Sequence, residues 1–129
     1  MVREKDWGPG GYDRVIADRW LYAIGDCDSG LVKVGMVLDE ERLNPRLTEI
    51  RRKHPTRNLE MFARSVVPNV NHEEVEHIES TVRLWLTRAR GFSFIGEVDW
   101  LSVPNGYDFA AAQANLDDAV RVAVSFGAG

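Results

Sequence analysis

A tyrosine and a lysine near the start of the chain are spaced so that they could act on one substrate. Residues 20–25 and 32–36 are rich in β-branched and aromatic side chains, and turn-forming residues 26–30 separate them, which predicts a β-hairpin. Pairing about that turn places Tyr22 opposite Lys33, and residues directly opposite share a face with Cβ atoms about 5 Å apart. A nearby ammonium favours the phenolate form of tyrosine. The pair is therefore a candidate proton acceptor, although both residues also suit an ordinary strand.

One carboxylate lies at the edge of a predicted helical stripe. After residue 74, apolar residues recur at helical spacing as far as residue 90, and Gly91 is a typical helix stop. Glu79 falls beside this stripe, where a carboxylate costs free energy unless a cation or hydrogen-bond donors meet it. Two interpretations stay open: an ion pair with Arg83 one turn later, or a metal ligand facing a cleft between helix and sheet.

Basic residues are concentrated in one part of an acidic chain. The net charge of −4 argues mildly against nucleic-acid binding, because such binding draws affinity from phosphate neutralisation. Residues 42–64, however, carry seven basic side chains against two acidic ones, and a positive patch on an acidic body can steer a polyanion. A solvated basic helix and loop is the alternative. The basic residues are Arg42, Arg46, Arg51, Arg52, Lys53, Arg57 and Arg64.

A short helix and a third strand must hold these side chains in place. Asn44 and Pro45 predict a helix start, since asparagine caps helices and proline suits their first position, and residues 46–53 form the helix. Residues 59–67 predict a strand. Its alternation places three side chains on one face: Leu59, Met61 and Ala63.

The second half of the chain alternates helices with short extended pieces. Asn71 stands three residues before Glu74, a variant of the capping box that starts the long helix. Residues 92–95 and 98–103 are two short extended pieces, and Asp108 can cap a last amphipathic helix. This order predicts an α+β fold, a small antiparallel sheet with helices packed against it.

Length and composition limit the other possibilities. At 129 residues the chain is long enough for one domain. It has no apolar run of membrane-spanning length and no signal-peptide core, so a cytoplasmic location is expected. Cys27 is the only cysteine, which excludes an intrachain disulfide and a thiolate zinc cluster. The residues predict no nucleophile–base–acid triad.

Five short motifs, in order, resemble the GIY-YIG nuclease superfamily. The closer likeness is to its compact phage and bacterial branch, in which the second motif is a Val-Lys-Ile-Gly run. The likeness spans residues 20–103. The motifs here are Leu21-Tyr22-Ala23-Ile24, Val32-Lys33-Val34-Gly35, the helix Arg46-Leu47 to His54-Pro55, Ile78-Glu79 with Val82-Arg83, and Gly96-Glu97 with Trp100-Leu101.

The resemblance implies a fold and an activity. The fold is a three-stranded antiparallel sheet flanked by helices, with an N-terminal arm at residues 1–18, the nuclease-like domain at 19–103 and an extra C-terminal helix at 104–129 packed on it. The activity is metal-dependent hydrolysis of DNA by an endonuclease or nickase. Tyr22 would be the general base beside Lys33, Arg46 would hold the phosphate, and Glu79 would bind Mg²⁺ or Mn²⁺. The expected DNA contacts are Arg51, Arg52, Lys53, His54, Arg57 and Arg83.

Several positions depart from the family pattern and keep other functions open. Val37 replaces a usual threonine, Arg83 replaces a usual histidine, and Val98 and Asp99 are inserted in the last motif. Arginine is no proton acceptor near neutral pH. A catalytically inactive module that binds nucleic acid or protein is therefore the alternative, as is a subunit whose partner supplies DNA specificity. The C-terminal helix could serve as a homodimer surface or cover the core of its own domain.

Overall fold

The computed structural model describes residues 16–96 and 100–127. Most of the expected N-terminal arm, and Glu97, Val98 and Asp99 of the last motif, lie outside the described residues. The fold is α+β, as expected, but the sheet has five antiparallel strands rather than three, in the order β3-β1-β2-β5-β4. The strands are β1 (Ala17–Asp26), β2 (Leu31–Val37), β3 (Leu59–Val70), β4 (Ser93–Phe94) and β5 (Trp100–Ser102).

The extra two strands come from the extended pieces that follow the long helix. β5 pairs with the first residues of β2, from Leu31 to Lys33, and β4 pairs with β5. The first half of β2 would otherwise be a sheet edge with unpaired backbone groups. Pairing with β5 satisfies those groups, which is why two such short segments join the sheet.

Three helices pack on this sheet. They are α1 (Leu43–Lys53), α2 (Glu74–Arg90) and α3 (Ala112–Gly127). The predicted start of α1 is wrong, because a 3-10 turn at Glu40–Arg42 runs directly into the helix and Arg42 occupies the N-cap position. Asn44 and Pro45 therefore lie within the first helical turn. The predicted end of α1 at Lys53 is confirmed. No helix in the described part of the chain is both long and apolar enough to span a bilayer.

The predicted caps of α2 and α3 are confirmed. The Asn71 and Glu74 side chains each accept a hydrogen bond from the other residue's backbone N–H, both at 3.0 Å. Gly91 ends α2 with a φ of 76°, which glycine adopts without strain. The Asp108 carboxylate accepts the Ala110 N–H at 2.9 Å at the start of the last helical segment.

The sheet separates two hydrophobic cores. On one face, α1 packs over what we call the α1-side core: Tyr22, Ile24, Val37, Leu43, Ile50, Leu59 and Trp100. The other face carries a larger core under α2 and α3, which includes Leu21, Val34, Ile78, Val82, Leu86 and Leu116. The C-terminal helix covers the chain's own core, since Leu116, Ala119 and Ala123 are buried there.

The hairpin register differs from the predicted one by two residues. Tyr22 lies opposite Gly35, and Lys33 lies opposite Ile24. The expected pairing fails because the strands continue to Asp26 and Leu31, which leaves a four-residue loop. Asp26 holds this tighter turn, with its carboxylate accepting the Asp28 N–H at 2.9 Å and its carbonyl accepting the Gly30 N–H at 2.9 Å. A shift by an even number of residues leaves Tyr22 and Lys33 on one face.

A bulge in β3 changes which of its residues share a face. Ala23 pairs with Ala63, whereas its neighbour Ile24 pairs with Met61, so Phe62 is the extra residue. Leu59 and Met61 therefore face the α1 side, while Ala63 faces α2 and α3. The prediction that all three share one face is wrong beyond the bulge.

Candidate active site

The phenol of Tyr22 lies across Gly35 of the neighbouring strand. Tyr22 is 1% exposed within the α1-side core. A Cβ atom at Gly35 would lie 2.6 Å from Cζ of Tyr22, closer than real side chains approach. The glycine of the second motif is therefore required by the tyrosine of the first, because any larger residue would displace the ring.

Lys33 shares this face but is directed toward Trp100. Lys33 and Trp100 are directly paired across β2 and β5, and the lysine Nζ lies 5.6 Å from the centre of the indole ring. The expected direct pairing of Lys33 with Tyr22 is wrong. The lysine stands one diagonal step away from the tyrosine, at the neighbouring same-face position of β2.

Two more basic side chains contact the same indole ring. Arg57 places its Cζ atom 4.8 Å from the ring centre, and the His54 ring meets it edge-on at 5.4 Å. We call Lys33, His54, Arg57 and Trp100 the Trp100 cluster. In the sequence, Trp100 stands out only as part of the last motif. Pairing that short extended piece with β2 would have placed its ring beside the lysine.

Arg46 lies on the half of α1 that faces the sheet. It follows the buried Leu43 by three residues and precedes the buried Ile50 by four, which places it beside the apolar stripe. Its side chain is half-buried. Arg46 is thus at the α1 face that covers Tyr22, as the expected phosphate contact requires.

The other basic residues of α1 have different surroundings. Arg51 donates from Nε to the Leu59 carbonyl at 2.9 Å, so it ties the helix to β3. Arg52 and Lys53 are exposed, and Lys53 lies 3.8 Å from the Glu49 carboxylate. The structure leaves the two exposed residues on the outer surface of α1 and gives Arg51 a structural hydrogen bond.

Arg83 connects α2 to the edge of β2. It is 7% exposed, and its Nη1 atom lies 3.4 Å from the Val34 carbonyl oxygen, which belongs to the peptide bond preceding Gly35. Its Nη2 atom lies 3.5 Å from the Ser80 hydroxyl. This guanidinium therefore reaches the strand beside the glycine that Tyr22 covers.

Glu79 lies on the same side of α2 as Arg83. Four residues exceed one helical turn by only about 40°, so Glu79 lies on the side of the helix from which Arg83 reaches β2. The two ends of α2 show its direction along the sheet. The helix starts just after Val70, which pairs with Ala17 at the end of β1 away from the hairpin. Near its other end, Leu86 lines a cavity with Val32, close to the hairpin. Since α2 runs in this direction, Glu79 is displaced from the Val34 level toward the end of β2. Its side chain is half-buried.

The two faces of the sheet thus contribute separately to one candidate site. Tyr22, Lys33 and Arg46 come from the α1 side, and Glu79 and Arg83 come from α2 on the other side. Of these residues, Arg83 reaches the Val34 carbonyl of β2, and Tyr22 covers Gly35, the next residue of that strand. The expected cleft between one helix and the sheet is better described as an arrangement around the edge of β2.

A single carboxylate fits only certain metal ions. Within residues 16–96 and 100–127, no three His, Cys, Asp or Glu side chains form a group that could hold a metal. Mg²⁺ is commonly held by one or two carboxylates with water and substrate phosphate oxygens, and Glu79 fits that role.

The lone thiol is unsuited to nucleophilic catalysis. Cys27 is exposed in the hairpin loop. Partial desolvation and the nearby Glu60, Asp28 and Asp26 carboxylates raise the pKa of the Cys27 thiol above its ordinary value. Since the thiolate is the reactive form, this environment lowers its reactivity.

Comparison of the chain with protein-family models, with curated proteins and with solved structures finds no match in any of the three. The resemblance to the GIY-YIG superfamily therefore rests on the five short motifs, and the activity that it implies stays a prediction.

Proposed function

We propose that this protein is a metal-dependent DNA endonuclease or nickase of the GIY-YIG type. The observation that carries the proposal is the fit of Tyr22 over Gly35, since it joins the two defining motifs in one contact. The contact of Arg83 with the Val34 carbonyl, beside Gly35, and the position of Glu79 one turn earlier on the same helix give further support.

In the proposed reaction, each side chain has a separate task. Tyr22 accepts a proton from the water that attacks the phosphorus atom, which is general-base catalysis. The new P–O bond replaces the bond to the leaving sugar oxygen, which takes up a proton from solvent water. Arg46 holds the attacked phosphate, because its planar fork matches two oxygens at once. Lys33, one diagonal step from Tyr22 across β1 and β2, supplies the positive charge that favours the phenolate and also acts on the substrate backbone from its position at Trp100.

Glu79 would hold Mg²⁺ or Mn²⁺. Such an ion, when bound, stabilises negative charge on the phosphate and the leaving oxygen. The buried Arg83 places a positive charge on the same side of α2 as Glu79.

A binding module that does not cut nucleic acid is the second candidate. Two observations favour it: Tyr22 is almost fully enclosed in the α1-side core, and Arg83 stands where the family usually has histidine. A buried phenol can serve packing alone, and an arginine bonded to the Val34 carbonyl has a structural task.

A cleavage assay decides between the two candidates. Purified parent protein, Tyr22→Phe and Glu79→Gln are incubated with supercoiled plasmid and with single-stranded DNA, with Mg²⁺ or Mn²⁺ and with EDTA. We expect metal-dependent cutting by the parent. Tyr22→Phe should cut at least a hundredfold more slowly, the usual size of a general acid–base contribution, and Glu79→Gln should lose cutting because it removes the metal ligand. Tyr22→Phe keeps the ring that fills the core, so slower cutting by this variant would reflect the lost hydroxyl group.

The control variant is Glu76→Gln, which removes an exposed carboxylate from the same helix. It should cut like the parent. Cutting that survives both Tyr22→Phe and Glu79→Gln would show that the site is misassigned. Binding of DNA without any cutting by the parent would favour the non-catalytic module.

A further inference from the structure

Three basic side chains from separate parts of the chain meet at one aromatic ring. Lys33 comes from β2, His54 ends α1, and Arg57 lies in the loop that follows. The Lys33 Nζ and the Arg57 Cζ are 5.6 and 4.8 Å from the Trp100 ring centre, within the roughly 6 Å range of cation–π interactions. Only the fold, and not sequence proximity, brings Lys33 to the other two.

The guanidinium of Arg57 has a donor without an acceptor. Its Nη1 atom is buried and has no hydrogen-bond partner among the described residues. A buried donor left unsatisfied costs about 1–3 kcal/mol, and more when the group is charged. A guanidinium that stacks on an aromatic face keeps its N–H edge for a planar or tetrahedral oxyanion. Because Nη1 itself is buried and the side chain as a whole is half-buried, an anion would approach Arg57 from the exposed part of its guanidinium.

We propose that the Trp100 cluster binds a backbone phosphate of the nucleic acid, next to the phosphate at the candidate active site. This inference rests on the proposed function for the identity of the anion. A phosphodiester has two non-bridging oxygens that share one negative charge, and these suit the Arg57 fork and the Lys33 ammonium together. Binding would also reduce the repulsion between these two cations.

The position of the cluster along β2 matches this role. Lys33 and Gly35 are two residues apart on one face, which is about 7 Å along a strand. Tyr22 covers Gly35, so one phosphate at the phenol and a second at the cluster would be successive groups of one strand. The cluster would therefore set the direction and register of the substrate strand in the site.

Binding measured without metal tests this site independently of cutting. A fluorescently labelled single-stranded oligonucleotide is titrated in EDTA at several salt concentrations, and its anisotropy gives the affinity. Arg57→Gln should weaken binding roughly tenfold and reduce the slope of log affinity against log salt by about 0.7, the value for one phosphate contact on a single strand. Arg57→Lys keeps the charge, so it should keep most of the slope.

Arg88→Gln is the matched control, because Arg88 is an exposed arginine near the far end of α2 and outside the site. It loses the same charge and should leave both slope and affinity close to those of the parent. Equal effects of the Arg57→Gln and Arg88→Gln variants would overturn the proposal, since only net charge would then matter. An Arg57→Lys variant that is folded but binds as weakly as Arg57→Gln would overturn the charge-based explanation.

The same variants keep this proposal separate from the nuclease proposal. Arg57-dependent binding by a parent protein that never cuts would support the phosphate site and contradict the nuclease. Metal-dependent cutting by the parent, with Arg57→Gln binding as tightly as the parent, would contradict the phosphate site alone.

Discussion

At the scale of single residues, the contact between Tyr22 and Gly35 is the most informative one in the site. The phenol takes the space that a side chain at Gly35 would fill. Sequence reasoning identified both residues, because they belong to short motifs. It did not identify their contact, because the hairpin register depends on how tightly Asp26 closes the turn.

Gly35→Ala tests this contact directly. The new methyl group would meet the Tyr22 ring. The backbone at Gly35 is held in place by its pairing with β1. We expect a loss of about 1–3 kcal/mol in the free energy of unfolding, the usual range for overpacking, measured by urea denaturation. Gly96→Ala is the control, because a Cβ there has nothing within 4 Å. Equal stability of the two variants would contradict the packing of Tyr22 on Gly35.

At the same scale, the contacts of the Trp100 cluster could not be predicted from the sequence. His54 and Arg57 were predicted to contact nucleic acid, and Lys33 to assist Tyr22. Their common contact with Trp100 depends on pairing between β2 and β5. A three-residue strand has too little sequence pattern to predict its partner.

At the scale of elements, boundaries marked by capping residues could be predicted and irregularities could not. The Asn71–Glu74 box, the Gly91 stop and the Asp108 cap are local hydrogen-bond patterns that sequence spacing reveals. The bulge at Phe62 changes the alternation of β3 midway. It depends on pairing with β1, so no local pattern predicts it.

The outer edge of β3 is closed by a side chain from α3. Gln113 accepts the Arg64 N–H at 3.1 Å and donates to the Arg64 carbonyl at 2.8 Å. An amide side chain thus takes both hydrogen bonds that a further strand would make at this residue. Pro68, farther along the strand, has no N–H to offer. These two features limit pairing of β3 with another chain.

Gln113→Ala should open this edge. We expect a loss of about 1 kcal/mol in the free energy of unfolding. We also expect concentration-dependent self-association, since an exposed strand edge pairs with other chains. Light scattering after size-exclusion chromatography measures the mass. Ser125→Ala, which changes an exposed polar residue near the other end of α3, is the control and should stay like the parent. The same mass for both variants at every concentration would argue against the edge role of Gln113.

At the scale of the whole molecule, one side of the sheet is mainly structural and the other carries most of the candidate site, although α2 on the structural side contributes Glu79 and Arg83. The larger core lies under α2 and α3, whereas the basic residues of the 42–64 segment lie mainly on or after α1. The α+β class could be predicted from the order of elements. The number of strands could not, because β4 and β5 together contribute only five residues.

Tyr107, which packs against the larger core, should make the free energy of unfolding fall at alkaline pH. Burial, and to a lesser extent the Asp108 carboxylate, raises the pKa of Tyr107 above its ordinary value near 10, although Arg90 partly opposes this. The folded state therefore holds the phenol proton at pH values where the unfolded state has lost it. The free energy of unfolding should fall as pH rises through and above 10.

Tyr107→Phe removes this titrating group while keeping the ring contacts with Phe92 and Phe109. Denaturant unfolding measured between pH 8 and pH 11 should show a shallower decline for the variant than for the parent. An equal decline in the two proteins would mean that the Tyr107 phenol titrates alike in the folded and unfolded states.

The central claim is that one phosphate-sized site at the edge of β2 joins the phenol of Tyr22 to the carboxylate of Glu79. Crystals grown with Mn²⁺ and a short DNA strand, measured at the manganese absorption edge, test it most directly. We predict an anomalous peak about 2.1 Å from a Glu79 carboxylate oxygen, beside a phosphate that faces the Tyr22 hydroxyl. The peak should be absent from Glu79→Gln crystals. A manganese peak elsewhere, or DNA bound away from β2 with Glu79 uninvolved, would contradict the claim.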